Sequence, residues 1–359
     1  MATFILKLIQ MSIMHRLELN MFKIQHNNNS SISTTQNKVR FNDISILRVS
    51  AMLLVVFYHC LCPYSIWDGG EYFIGFHVPI WDVVDGMLLQ IHLPIFFLIS
   101  GYLYGYKRNL GGYSDNVKFV KDKTLRVLVP YAIVGLFLCL LQDRDISQML
   151  NGISHLWFLM TIFECYVLGK LLDTVLKMQE RKVQLVMGGL VLFIVLIPYR
   201  IPLMQFLCLS NIIKYFPFYM LGMLASKMNF GKYTKYKAKT LVLIIILLLF
   251  FALQQVYIKK TSITMLLGVS IVSFIFIYAR CLNIPKLPSW VTSLDKCSMG
   301  IYIVHHIVIQ EMNSIAFFHV YEGEHYYSYP MLQFVAITIV CWSMVAVCKK
   351  NKYSKYILG

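Results

Sequence analysis

The chain has 359 residues, of which 58% are hydrophobic and only 14% charged, against roughly 25% charged in soluble domains. Apolar runs near twenty residues recur from end to end, the length a helix needs to cross a hydrocarbon core about 30 Å thick. A soluble or nucleic-acid-binding protein is thereby excluded, and the formal net charge of +16 is read instead as Lys and Arg collected in loops on one side of a bilayer.

The first forty residues read as a disordered cytoplasmic leader, because "QHNNNSSISTTQNKVR" is polar and rich in Asn and Ser. Upstream, the apolar stretch "MATFILKLIQMSIM" is broken by Lys7 and shows no small-residue cleavage site, so a signal peptide is not indicated. Met1 and Met21 both stay open as the start. From there the hydropathy predicts an all-α polytopic protein with ten spans near residues 44–63, 87–106, 124–142, 154–176, 183–199, 206–226, 240–258, 262–281, 297–313 and 330–348. Residues 41–348 form one transmembrane domain, and 349–359 a basic tail.

Charges in the loops set the orientation. Lys23, Lys38 and Arg40 precede the first span, and the following loop, 64–85, carries Asp68, Glu71, Asp82 and Asp85 with no Lys or Arg. The alternation continues through the basic loop 107–123 to the tail lysines, with Lys259 and Lys260 on the wrong side. Both termini are expected in the cytoplasm, as a multi-pass protein of the plasma membrane. The nine cysteines are scattered and no Cys/His spacing resembles a metal site, so no metal is assigned.

Ionisable groups inside the spans then stand out, since they are costly there. In "ISILRVSAMLLVVFYHC" Arg48 and His59 lie eleven residues apart. That is close to three helical turns, so they share a face with the cation low and the imidazole about 16 Å higher. Arg126 repeats the low position on the third span, and Ser100–Gly101 lies in the inner half of the second, where Gly allows close backbone approach. His92, His155, His305 and His306 fall toward the outer side. Glu164 and Lys214 are a candidate ion pair. Taken singly, these features have plain readings: Arg48 can snorkel to headgroups, His59 can be a satisfied structural histidine, and a basic loop can be only a topology signal.

The order of these elements resembles the membrane acyltransferase-3 family. "LRVSAMLLVVFYH" is similar to its first-helix motif, with Arg48 and His59 as the paired arginine and histidine. "LPIFFLISGYLY" matches the second-helix element at Ser100, Gly101 and Tyr102. "KDKTLRVLVPY" supplies the basic element through Lys123 and Arg126, with lysine at 123 where many relatives have arginine. "HLWFL" at His155 to Leu159 and "SMGIYIVHH" at Ser298 to His306 are also similar to family wording.

The resemblance implies an O-acyltransferase that takes acetyl from acetyl-CoA, a donor substrate rather than a bound cofactor, and delivers it across the membrane. The implied acceptor is a sugar hydroxyl of a surface polysaccharide or its lipid-linked precursor. His59 is the implied base, with or without an acyl-enzyme intermediate, and Arg48 either holds the donor or orients the site. Lys123 and Arg126, with Ser100, Gly101 and Tyr102, are assigned to donor binding. His155, Trp157, Glu164 and His305 are assigned to the substrate path. A polysaccharide-lipid flippase or other secondary transporter is the alternative, although the two halves show no internal repeat.

Overall fold

A computed structural model describes residues 41–65, 78–176, 206–257, 261–315, 325–351 and 353–358, with isolated positions 182, 186 and 189. The leader and the expected fifth span, 183–199, lie outside the described residues. Everything regular among the described residues is helical. Seven helical stretches there are long and apolar enough to cross a membrane. The protein is therefore an all-α polytopic membrane protein.

The first helix, α1 (Asn42–Leu61), opens with Asp43 in its first turn, where a carboxylate complements the helix dipole. Next come α2 (Pro79–Leu89) and α3 (His92–Asn109), which together make one 31-residue stretch. The break at Gln90–Ile91 has a cause in Pro94, which lacks an N–H and whose ring clashes with the carbonyl four residues back. Helix α4 (Asn116–Lys123) continues through one wide turn, Thr124–Leu128, into α5 (Val129–Leu141). There the Val129 N–H reaches back five residues to the Thr124 carbonyl, which accommodates Pro130 without breaking the helix.

The remaining helices are α6 (Trp157–Leu176), α7 (Leu209–Ala225), α8 (Lys237–Tyr257), α9 (Thr261–Arg280), α10 (Ser289–Ser314) and α11 (Tyr329–Cys348). Of the three expected spans not among the seven, 183–199 lies outside the described residues, and the other two differ for a physical reason. Helix α6 carries Glu164, Lys170 and Asp173, while α10 carries Asp295, Lys296, Glu311 and two histidines. Neither passes as an apolar span, and both turn out to be site helices. Three boundaries also shift, the helical stretch of the third span beginning at Asn116 inside the expected basic loop 107–123. Helix α2 begins before the expected 87, so Asp85 is not in a loop but fully buried, accepting a hydrogen bond from the Ser65 hydroxyl at 2.9 Å. Helix α10 begins before the expected 297 because Asp295 is neutralised by a partner rather than held in water.

Two packing centres position the site. In the first, α1 meets α10 and α11 through Val49, Met52, Val56, Leu294, Ile301 and Ile337. Leu358, in the segment expected as a basic tail, is only 6% exposed and belongs to this cluster. In the second, α3 crosses α7 at backbone contact. A Cβ on Gly101 would lie 1.8 Å from the Tyr219 carbonyl oxygen, and one on Gly222 2.0 Å from the Leu98 oxygen. Lipid gives helices no hydrophobic drive to associate, so such small-residue contacts carry the van der Waals packing that does.

Candidate active site

Helices α1 and α10 run side by side in the same direction, joined by polar contacts at two levels. At the lower level the Arg48 guanidinium donates to Asp295 Oδ1 at 2.8 Å, and the Ser45 hydroxyl donates to Oδ2 at 2.8 Å. At the upper level His59 Nδ1 lies 3.2 Å from His305 Nε2. Arg48 and Asp295 precede their histidines by eleven and ten residues, so two helices of common pitch bring both pairs together. Arg48 is thus neither an unpaired cation nor a snorkelling one. Its partner carboxylate fixes the fork, and 31% of its side chain remains exposed for other bonds.

The upper level gathers four histidines from three elements. The His59 ring centroid lies 4.9 Å from that of His305, 5.0 Å from His306 and 6.3 Å from His155. His306 and His155 stack at 4.8 Å. His155 sits in the short turn Ser154–Leu156 ahead of α6, directly after Ser154 at φ 47°. That left-handed backbone is unusual for serine and is the kind of local strain that functional sites store. The loop is docked on α10 in both directions: His155 Nε2 donates to the Ile303 carbonyl at 3.0 Å, and the Tyr302 hydroxyl donates to the His155 carbonyl. His155, His305 and His306 are buried, at 6%, 0% and 8% exposure, whereas His59 keeps part of its surface open. Among the described residues, no group of His, Cys, Asp or Glu is arranged to hold a metal ion.

A second polar region lies where α3, α4 and α6 meet. Lys123 Nζ sits 3.6 Å from the centre of the Tyr166 ring, with Phe119 at 5.7 Å and Tyr113 at 5.9 Å. The Tyr166 hydroxyl lies beside Ser100 and Lys123. Tyr113, in the loop between α3 and α4, adopts φ 64° and stacks on Tyr104 at 5.5 Å, while Lys170 donates to its carbonyl at 2.6 Å. Burial pushes the Tyr113 phenol up to about 12, so it remains a neutral hydroxyl at physiological pH. Arg126 lies in the widened turn and is exposed.

The structure brings together His59, His155 and His305 from the expected set, and separately Lys123 with Ser100. Gly101 meets the backbone of α7, and Tyr102 lies under Arg280 at 4.9 Å, so both serve helix packing. Trp157 stacks on Tyr215 at 5.5 Å. The expected Glu164–Lys214 pair is corrected. Lys214 lies over the Tyr215 ring, and Glu164 Oε2 is buried with no hydrogen bond among the described residues. His92 stands behind the cluster, stacked on Tyr58 at 4.8 Å.

Sequence reasoning missed Asp295, His306 as a ring partner, and the Gln142–Gln310 contact at 3.1 Å, which brings α5 up to the turn of α10 after His306. A usable signal existed for Asp295, since its spacing to His305 nearly repeats that of Arg48 to His59.

A polytopic helical protein with a histidine cluster three turns above a paired arginine has the makings of a membrane enzyme rather than of a scaffold. A family-level sequence match, described as an acyltransferase domain, covers residues 41–348. The chain belongs to the acyltransferase-3 family and is a membrane acyltransferase. No significant match was found among curated proteins or among solved structures.

Proposed function

We propose that the protein transfers acetyl from acetyl-CoA to a sugar hydroxyl of a cell-surface polysaccharide or its lipid-linked precursor. The observation that carries this reading is the parallel α1–α10 pair, which holds a fixed cation at one level and a partly open imidazole, backed by three buried ones, at the other. A sugar hydroxyl becomes a competent nucleophile only as its proton leaves, and a neutral imidazole suits that task near pH 7. His59 takes the proton as the oxygen attacks the thioester carbonyl. The C–S bond breaks, and the proton returns to the departing thiolate, so charge balances over the cycle.

Arg48, with its fork fixed by Asp295, either holds the donor on its way to the reacting end or orients the site from below. Lys123 and Arg126 meet the donor phosphates, where charge-assisted bonds are strongest. The positive-inside pattern supports a plasma-membrane protein with both termini and the Lys123 region cytoplasmic, and with the histidine cluster toward the outside. Under this reading the enzyme transfers groups other than aminoacyl groups, and its partners are the acyl-CoA, the glycan and the bilayer.

The test uses membranes from cells expressing the protein, supplied with labelled acetyl-CoA, and mass spectrometry of the host glycan with and without the gene. Protein-dependent label in the glycan is expected. Movement of lipid-linked sugar across the membrane with no acyl transfer would favour the transporter reading instead.

A further inference from the structure

We propose that His305 is a positioning residue that fixes the tautomer of His59, so that the resting lone pair of His59 is held on Nε2. The inference deepens the acyl-transfer reading and rests on it for its functional meaning, but the hydrogen-bond logic stands on its own. His305 Nδ1 lies 2.7 Å from the Tyr302 carbonyl oxygen and 3.1 Å from that of Ile301. Carbonyls only accept, so this nitrogen carries the hydrogen. In a neutral imidazole the other nitrogen is then an acceptor. That acceptor, Nε2, lies 3.2 Å from His59 Nδ1.

His59 Nδ1 also lies 2.9 Å from the Val55 carbonyl oxygen, one turn back on α1. Both of its neighbours accept, so Nδ1 must be the N–H of His59. Its Nε2 is left bare, on the one histidine of the four with open surface. Sequence spacing alone could not give this, because it depends on a chain of polarity that starts at the α10 backbone. The Val55 contact ties Nδ1 only within its own helix. The contact across helices pins it.

The arrangement resembles in logic the acid-oriented histidine of hydrolase triads, where holding the wrong tautomer costs about 10⁴ in kcat. Here the orienting acceptor is another imidazole rather than a carboxylate. It supplies direction without adding a second buried negative charge.

The test is nitrogen NMR on the full-length protein labelled with ¹⁵N-histidine in lipid nanodiscs, with the His59 signals identified by their loss in His59→Gln. Nε2 couples to both ring carbon-bound protons and Nδ1 chiefly to one, so the pattern tells which nitrogen is bare. The wild type should show a bare Nε2. His305→Phe keeps a ring but removes the acceptor, and should mix the His59 tautomers and lower kcat about 10²-fold with donor KM unchanged, within the 10²–10⁴-fold range of a positioned base. His305→Gln, which restores an acceptor oxygen, should recover part of both. A wild-type His59 protonated on Nε2 would overturn the proposal, as would a His305→Phe protein with unchanged tautomer and kcat. Because the spectrum needs no turnover, full activity in His59→Gln would end the base role while leaving the tautomer result standing.

Discussion

The α1–α10 pair and the α3–α7 pair are both close helix contacts in one bundle, yet they are held by opposite means. Helices α3 and α7 touch backbone to backbone through Gly101 and Gly222, with no polar side chain required between them. Helices α1 and α10 are joined by Arg48–Asp295 and His59–His305, and their apolar contacts fill the space between those levels. The first pair is a steric fit that tolerates no added atom. The second is a set of polar bonds that costs desolvation and would be poor design if stability were its only purpose. Their difference separates what holds the bundle from what it is for, and substitutions on the two pairs should fail differently.

The largest effect is expected at His59. Replacing it by Gln keeps a polar side chain but removes titration, so acyl transfer to glycan should fall by about 10²–10⁴-fold. Protein level and melting temperature should stay near wild type, because Gln still reaches hydrogen-bond partners. Acylation within a few-fold of wild type would leave the α1–α10 pair as a structural device after all.

Next in size is the lower level. Arg48→Lys keeps the charge but loses the planar fork, and Asp295→Asn removes the carboxylate that orients it. If the two act as one unit, the double variant should be little worse than either single one. A double-mutant cycle on kcat/KM should then show coupling of about 1–2 kcal/mol, within the range for contacting residues. Additive losses would mean that Arg48 works without Asp295. Wild-type rates in Arg48→Lys would return the arginine to a headgroup role.

Much of this division was legible in the sequence. Hydropathy placed α1, α7, α8, α9 and α11 to within a few residues, because an apolar helix in lipid must satisfy its own backbone and so must be about as long as the bilayer is thick. Arg48, His59, His155 and His305 stood out because ionisable groups are rare in spans. What stayed hidden was pairing. A hydropathy window sees Asp295 and Lys296 as the end of a span, since it cannot know that Asp295 has Arg48 and Ser45 as partners 247 and 250 residues away. Likewise, a glycine in a span signals close approach without naming the helix that approaches, and Glu164 and Lys214 looked complementary only because charge has no direction in a sequence.

The α3–α7 pair should respond in stability rather than in chemistry. Gly222→Ala would set a Cβ 2.0 Å from the Leu98 oxygen and 2.6 Å from the Tyr102 nitrogen, and backbone atoms cannot step aside as a side chain can. A loss of about 1–3 kcal/mol is expected, read as a lower unfolding midpoint in detergent, with rate per folded molecule unchanged. Gly300→Ala, on the α10–α11 contact, is the matched control. Its Cβ would first meet Val345 side-chain carbons, at 2.6 and 3.1 Å, which can shift, and the loss should be smaller. Equal losses at the two positions would show that backbone contact is not the special feature of α3–α7.

The smallest expected effect lies at Lys123, beside α3, where packing and binding overlap. Its ammonium is already satisfied in part by the Tyr166 face at 3.6 Å, and such a cation–π contact contributes about 0.5–2 kcal/mol. If Lys123 also meets donor phosphates, that contact is remote from the reacting carbonyl and is made equally in the ground and transition states. Uniform binding of that kind appears in KM and not in kcat. Lys123→Ala should therefore raise the apparent donor KM by up to about tenfold, equivalent to some 1.4 kcal/mol, with kcat nearly unchanged and the unfolding midpoint slightly lowered. Tyr166→Phe separates the two roles, because it keeps the π face for Lys123 but removes the polar oxygen beside Ser100 and Lys123. A lowered midpoint with unchanged donor KM in Lys123→Ala would make the residue a packing staple, like the glycines of α3. A raised KM in Lys123→Ala with a normal one in Tyr166→Phe would assign the ammonium itself to the donor and place the boundary between scaffold and site between these two side chains.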